Sequence, residues 1–407
     1  MASTRSKILF LVGIFILYLA IGIGLRIAAN AGLITKLPPT AVEIGGNVST
    51  QESNQENIAA NFDAAKSFLT RRMIKENGHI YLYITYKNNS FVYDEYTNSE
   101  ALSYSLLWAA IEKDKPTFDH QLQFIQNYMI HPKLGYLMWK LNANESTESD
   151  GSNIATDADL RTIKAMFLAQ QQWGDSKYSK TINDLADALE KVAITNDSML
   201  APYGGASGES TWTANEVWLS YADFTVFENL AKMRGKPWIS VFANMKQATL
   251  KAQIYNGLCN SQLTEHREYG NGSDGGGYSI NSMWMMIRNA ESNDLQLKES
   301  AKKSLQFYKQ KLSQDNELFA LYNSNGDALS PSDTPWVYAL VARASIALND
   351  THFSDALIRK LVSKQVVDKK SQLYGAFPEG DNKVGQFTMQ ESILALEEYE
   401  NANKLQK

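Results

Sequence analysis

Hydrophobic and polar positions along this 407-residue chain fall into two regimes, one near the N-terminus and one beyond residue 58. From Ile8 to Leu25 the chain is an uncharged, mostly apolar run lying between Lys7 and Arg26. As a helix those residues would span about 27 Å at 1.5 Å per residue, close to the hydrocarbon thickness of a bilayer. A secretory apolar core is shorter, roughly 7 to 15 residues, so residues 1–32 are expected to form a retained transmembrane signal-anchor. Arg5 and Lys7 precede the run, which leaves the N-terminus inside and the remainder outside a cell membrane crossed once. Ala29-Asn30-Ala31 is an A-x-A-like site at which cleavage would instead release a secreted protein. Pro38-Pro39 and the run Gly45 to Asn57, rich in Gly, Asn, Ser and Gln, read as a polar linker over 33–57.

Beyond residue 58 apolar residues recur mainly at helical spacing, broken by loops of Gly, Asn, Asp and Ser. The pattern predicts helices over 59–73, 99–115, 118–130, 159–172, 180–193, 221–233, 239–255, 281–289, 297–312, 334–348, 353–367 and 386–402. Strict alternation is scarce. The pieces 79–85 and 90–93 read as a surface hairpin turning at Asn88-Asn89. An all-α domain over 58–407 follows, and twelve helices joined as hairpins suit an (α/α)6 barrel.

Composition narrows the chemistry. With 44% hydrophobic and 20% charged residues the chain can bury a large core. A net charge of -5, with no basic stripe interleaved with aromatics, gives no footprint for nucleic acid. Cys259 is the sole cysteine, which excludes an internal disulfide and a cysteine-based metal site. His79, His120, His131, His266 and His352 lack the i, i+4 spacing of helical zinc sites, so neither a catalytic metal nor a cofactor is expected.

What stands out is carboxylates at helix starts. Thr97-Asn98-Ser99-Glu100-Ala101 opens one helix and Ala155-Thr156-Asp157-Ala158-Asp159 another, with Gly135-Tyr136-Leu137-Met138-Trp139-Lys140 between them. Acids there often do no more than cap orphan N–H groups. Inverting glycosidases, however, need one protonated carboxyl to assist the leaving oxygen and one carboxylate to activate water on the opposite sugar face. Tyr and Trp supply flat apolar faces with a polar edge that suit pyranose rings. Of the eight tryptophans, Trp108 at helical spacing reads as core; Trp139, with Tyr221, reads as a sugar contact.

In this order the motifs resemble glycoside hydrolase family 8, a family of endoglucanases, chitosanases and xylanases. The resemblance implies an (α/α)6 barrel, Glu100 as general acid, Asp157 positioning the sugar at the cleavage site, and Tyr221 lining the cleft. Asp159 is read as structural, a first-turn acid complementing the helix dipole. Where many members carry the base, in Tyr278-Ser279-Ile280-Asn281, this chain has an amide, which cannot accept the proton. Some branches with Asn there take the base from the preceding loop. Asp274 and Glu268 in that loop are the candidates, Asp274 ahead because Gly275-Gly276-Gly277 allow close backbone approach. Asp333 is a rival base whose simpler reading is a helix N-cap.

The expectation is an inverting endo-glycosidase acting outside the membrane on a β-1,4-linked polysaccharide, tied by its tether to exopolysaccharide synthesis or export. Its partners would be the polysaccharide, the membrane through the N-terminal helix, and a polysaccharide synthase complex. The alternative is a catalytically impaired glycan-binding or assembly subunit that keeps Asn281 and has lost its base. A polysaccharide lyase would need basic groups facing a uronate, which the quoted motifs lack.

Overall fold

Two kinds of helix alternate along the chain, and their burial says where each belongs. Ser99–Ile111 (α2) buries ten consecutive residues from Ala101 to Ala110, so it is apolar on every side. Ser176–Val192 (α5) buries one stripe, Tyr178, Ile182, Leu185, Ala186, Leu189 and Val192, at the spacing of a single helix face. Helices buried all round must be enclosed by others, and those with one stripe must lie outside. The computed structural model, which describes residues 49–147, 151–174, 176–330 and 333–404, has this arrangement.

The inner helices are α2, Thr156–Trp173 (α4), Phe224–Arg234 (α6), Ile280–Glu291 (α8), Pro335–Ala347 (α10) and Gln386–Lys404 (α12). Each packs on the next, and α12 returns to α2, closing a ring. The outer helices are Ser49–Phe68 (α1), Lys115–Phe124 (α3), α5, Trp238–Ala252 (α7), Leu295–Asp315 (α9) and Thr351–Val362 (α11). Each of α3 to α11 lies against the inner helix before it, and α1 lies against α12. The result is the expected barrel of twelve helices, an (α/α)6 arrangement among the described residues. The expected membrane span falls outside them; within them no helix is long and apolar enough to cross a membrane. α1 begins at Ser49, inside the stretch expected as linker. Ser49-Thr50-Gln51-Glu52 carries the S-x-x-E spacing of a helix start, a signal that the polar composition hid.

Connections from inner to outer helices are short, and several begin the next helix with an Asp cap: Asp114 accepts from the Thr117 N–H and Asp294 from Gln296 and Leu297. Connections from outer to inner helices are long, so one end of the barrel carries nearly all the loop structure. Tyr83–Lys87 and Ser90–Tyr93 form the expected hairpin, with Asn88 and Asn89 at positive φ (52° and 59°). Lys383–Gly385 adds a third strand that the sequence pattern did not show.

Each outer helix also runs into a turn with one left-handed residue, a sixfold repeat not evident as sequence similarity. Gly78, Gly135, Ser198, Gly257, Gly326 and Gly375 occupy that position; in the first five the N–H donates back across a tight turn, as from Gly78 to the Lys75 carbonyl (2.9 Å), whereas Gly375 closes a longer loop by donating to the Val366 carbonyl (2.8 Å). At Gly375 an added Cβ would run into the Ala64 carbonyl oxygen, whereas at Gly135 the nearest atom, Asp184 O, is 3.7 Å away. Gly135→Ala should therefore cost only the left-handed penalty of about 1–2 kcal/mol. Gly375→Ala should cost about 1–3 kcal/mol more, because backbone has to move. Urea midpoints of the two variants test this, and equal losses would refute it.

The flank where α1, α2 and α12 meet holds a buried acid. Glu397, 4% exposed, has no hydrogen bond to either oxygen among the described residues; burial first, then the charges of Glu112 and Glu398, push it up to about 9, with Lys66 pulling the other way. The folded state thus holds a proton that the unfolded chain releases near 4.5, so this contribution is full below 4.5 and is lost as pH rises through about 9. The melting temperature should fall between pH 5 and 9, and fall less in Glu397→Gln; parallel curves for the two proteins would contradict the assignment.

Candidate active site

The inner helices all begin at the loop-rich end, so their first turns converge there. Glu100 lies in the first turn of α2, Asp157 is the second residue of α4, Tyr221 ends the turn Leu219–Tyr221 before α6, and Asn281 is the second residue of α8. A ring of parallel helices collects these residues from distant parts of the chain.

Trp139 is brought to Glu100 by backbone pairing. Thr97–Asn98 pairs with Lys140–Leu141, the Ser99 N–H donates to the Trp139 carbonyl (2.9 Å), and the Trp139 N–H donates to the Asn153 carbonyl (2.7 Å). The indole Nε1 then donates to Glu100 Oε1 at 3.3 Å, and Oε2 has no partner among the described residues. Burial, and after it the negative charge of Asp157, push the Glu100 carboxyl up to about 8; Arg161 and Trp139 pull it back less strongly.

Asp157 is 4% exposed and is held at Oδ2 by Arg161 Nη2 (2.9 Å), one helical turn on; its Oδ1 has no partner among the described residues. Arg161, itself buried, donates to Ser103 Oγ (2.9 Å) and lies 3.9 Å over the Tyr104 ring. Tyr104 donates to Glu391, whose other oxygen accepts from Arg343 Nη1 (2.7 Å). Arg161 was missed in the sequence, although Asp157-x-x-x-Arg161 has the spacing of an ion pair along one helix face.

α4 takes no side-chain cap, so the reading of its acids as mere caps does not apply. One expectation needs correction. Asp159 is structural, but not by complementing the dipole with its charge: it is fully buried, which pushes its carboxyl well above the usual range and favours the neutral acid, and its Oδ1 accepts from the Leu137 N–H (3.1 Å). It pins the segment that carries Trp139.

Around Asn281 the loop brings in one of its two candidate acids and leaves out the other. Asp274 closes the turn Gly272–Asp274, with Gly275 and Gly276 at positive φ reversing the chain behind it. Its Oδ1 accepts from Asn281 Nδ2 at 2.9 Å, while Ser220 Oγ donates to Asn281 Oδ1 (2.8 Å) and so fixes which way the amide faces. Burial pushes Asp274 up to about 7 against that hydrogen bond, and its Oδ2 has no partner among the described residues. Glu268 is exposed in the turn after Thr264, where its N–H meets Thr264 Oγ1, and it takes no part in this network. Asp333 does not cap α10; it pairs with Lys364 Nζ at 2.5 Å.

Aromatic rings extend from Tyr221 along the first turns of three inner helices: Trp218 to Tyr221 (5.1 Å between ring centres), Tyr221 to Trp284 (6.5 Å), Trp284 to Phe387 (5.8 Å) and Phe387 to Trp336 (6.2 Å). Phe387 and Trp336 were not singled out in the sequence, because nothing local distinguishes them from core; Trp108, read as core, is fully buried.

Comparison with known proteins agrees with this arrangement. Endoglucanase A of Acetivibrio thermocellus is 24% identical over 253 residues, 60% of this chain and 47% of that protein. The chain spans less than half the length of the curated endoglucanases it matches. A putative lipoprotein of Bacillus subtilis, YdaJ, is 22% identical over 344 residues, covering 82% of this chain and 86% of its own length. A solved structure described as a novel alpha-amylase from Clostridium perfringens superposes with a TM-score of 0.71 at 24% identity, over 83% of this chain and 98% of that one, which shows a shared fold. The family model for glycosyl hydrolases family 8 matches residues 55–289, the stretch from α1 to α8 that holds Glu100, Trp139, Asp157, Asp274 and Asn281, and the chain belongs to that family.

Proposed function

We propose that this glycoside hydrolase cleaves a β-1,4-linked polysaccharide internally and with inversion, Glu100 acting as general acid and Asp274 as general base. The observation that carries the reading is how three carboxyl groups are held. Glu100 by Trp139, Asp157 by Arg161 and Asp274 by Asn281 are each tied at one oxygen and unpartnered at the other. Unpartnered buried carboxyl oxygens also occur at Asp159 and Glu397, but these three carboxyls are held beside Trp139, Arg161 and Asn281 at the loop-rich end, where substrate or water can complete the shell.

In a single displacement the protonated Glu100 Oε2 gives its proton to the departing glycosidic oxygen. Asp274 Oδ2 takes a proton from water as that water attacks the anomeric carbon from the opposite face. Asp157, held by Arg161, keeps a negative charge near Glu100 and offers Oδ1 to a sugar hydroxyl. The acid has the higher of the two raised pKa values and the base the lower, the order that the division of labour requires. Trp139 and Tyr221 give ring faces to the sugars on either side of the scissile bond.

The membrane-linked role belongs to this reading too. The apolar run Ile8 to Leu25 supports a tether that holds the domain outside a cell membrane, and the likeness to a protein described as a putative lipoprotein supports membrane association. A tethered hydrolase suits a polymer made or exported at the same membrane, in the company of a polysaccharide synthase. A second reading, an α-linked glucan as substrate, is favoured by the likeness to the protein described as an alpha-amylase.

The full chain in mild detergent, beside Glu100→Gln, should be assayed on soluble β-1,4-glucan, chitosan, xylan and starch, with product anomers followed by proton NMR. An α-anomer appearing first from a β-linked polymer, and a loss of about 10²–10⁴-fold in kcat/KM for Glu100→Gln, are the expected results. First-formed β-anomer would exclude inversion, cleavage of starch alone would select the α-glucan, and glycan binding without cleavage would favour an assembly subunit.

The pH profile tests the pair. Activity should fall below about 7, where Asp274 gains a proton, and above about 8, where Glu100 loses one. Asn281→Ala removes the bond that favours ionised Asp274, so it should move the acidic limb to higher pH and leave the alkaline limb in place. An unmoved acidic limb would remove Asp274 from the role of base.

A further inference from the structure

In a chain of net charge -5, one cavity of about 210 Å³ is lined by four cations and no acid: Arg71, Arg72, Lys369 and Lys370, with Gln372 and Tyr374 beside them. Among the described residues none of the four makes an ion pair with a carboxylate. Of the six other described arginines, Arg161, Arg234, Arg267, Arg288 and Arg343 each meet at least one, and Arg359 does not. The nearest acid in sequence, Asp368, turns its Oδ1 to the Lys370 N–H (2.9 Å).

The two arginines are held in place by neutral partners. Arg71 Nε donates to the Ser67 carbonyl (3.0 Å), and Arg72 Nη2 donates to Gln372 Oε1 (3.3 Å) while its guanidinium lies 4.7 Å over the Phe91 ring. Their remaining N–H groups are open to a ligand. Four like charges around one cavity repel one another and raise the local potential, which an anion would relieve. Guanidinium forks match carboxylate and phosphate oxygens two at a time, and Tyr374 adds a ring and a hydroxyl suited to the sugar that bears such a group.

We propose that this pocket binds an anionic substituent, carboxylate or phosphate, of the polysaccharide on which the chain acts, and so selects an acidic polymer; the proposal rests on the glycosidase reading above. Position favours a polymer over a lipid surface. Arg71 and Arg72 lie in Leu69–Met73, just past the end of α1, and the chain from there runs through the hairpin to Glu100. Residues 369–374 lead likewise through Lys383–Gly385 into the start of α12. The pocket is therefore at the loop-rich end that carries the catalytic carboxyls. The first residue of α1, toward the apolar N-terminal run, lies a 20-residue helix away, about 30 Å.

The test is equilibrium binding of the full chain in detergent to carboxymethyl cellulose, to neutral hydroxyethyl cellulose and to short-chain phosphatidylglycerol. It compares the unaltered protein with Arg71→Gln/Arg72→Gln and Lys369→Gln/Lys370→Gln. The second variant alters only exposed loop residues and keeps the test valid should the first fold poorly. The expected result is carboxymethyl cellulose binding that weakens roughly tenfold or more in either variant and falls steeply with added salt, with hydroxyethyl cellulose binding unchanged. Carboxymethyl cellulose bound no more tightly than hydroxyethyl cellulose, or bound equally by the variants, would overturn the proposal, as would a loss seen only for phosphatidylglycerol, which would assign the pocket to a lipid headgroup. Failure of the glycosidase reading would show separately, as binding retained with no polymer cleaved.

Discussion

The buried run of charge from Asp157 through Arg161, Tyr104 and Glu391 to Arg343 is the interaction on which the site depends. A ring of six parallel helices could close around apolar side chains alone, and replacing a buried ion pair by well-packed apolar groups is often neutral for stability. Such a core would leave Asp157 without a counter-charge beside Glu100. Arg161 supplies the counter-charge within one turn of α4, and its stacking on Tyr104 ties α4 to α2. Glu391 and Arg343 then tie that pair to α12 and α10. Removing one member would leave its partner charged and buried, at a cost of about 3–5 kcal/mol.

The same arrangement gives two neighbouring carboxyl groups different surroundings. Glu100 and Asp157 both begin inner helices, where a helix N-terminus favours negative charge. Arg161 is bonded to Asp157 and only near Glu100, so burial, and after it the charge of Asp157, push Glu100 up to about 8. At the start of α8, Asn281 serves Asp274 in a comparable way. Its amide, turned by Ser220, presents N–H to the acid, and burial then decides that the carboxyl rises to about 7. An amide at this position keeps a hydrogen-bond link between α8 and the carboxyl while the carboxyl itself is moved to the loop.

The long loops carry the other half of the site because inner and outer helices meet differently at the two ends. At one end the chain reverses in a few residues, and Asp114 and Asp294 start the next helix directly. At the other it passes through a glycine turn, short strand pairs and then the inner helix. Short pairings such as Thr97–Asn98 with Lys140–Leu141 are what seat Trp139 over Glu100. Asp159, buried and pushed toward its neutral form, anchors the same segment by accepting the Leu137 N–H.

Local pattern determined the twelve helices and the hairpin at Asn88-Asn89, since periodicity and turn residues act over a few residues. It marked Glu100 and Asp157 only as acids at helix starts; their expected roles, and the expectation of a base in the glycine-rich loop, came with the family resemblance. Tertiary structure decided which loop acid meets the amide: Asp274 rather than Glu268 lies on Asn281, because only the approach of the 253–279 connection to α8 brings an acid there. Arg161 beside Glu100, the aromatic run to Phe387 and Trp336, and the closing of α12 on α2 and α1 were likewise beyond the sequence. Periodicity states which face of a helix is apolar, whereas a site assembled from six helix starts depends on which faces meet, and that follows only from the closed ring.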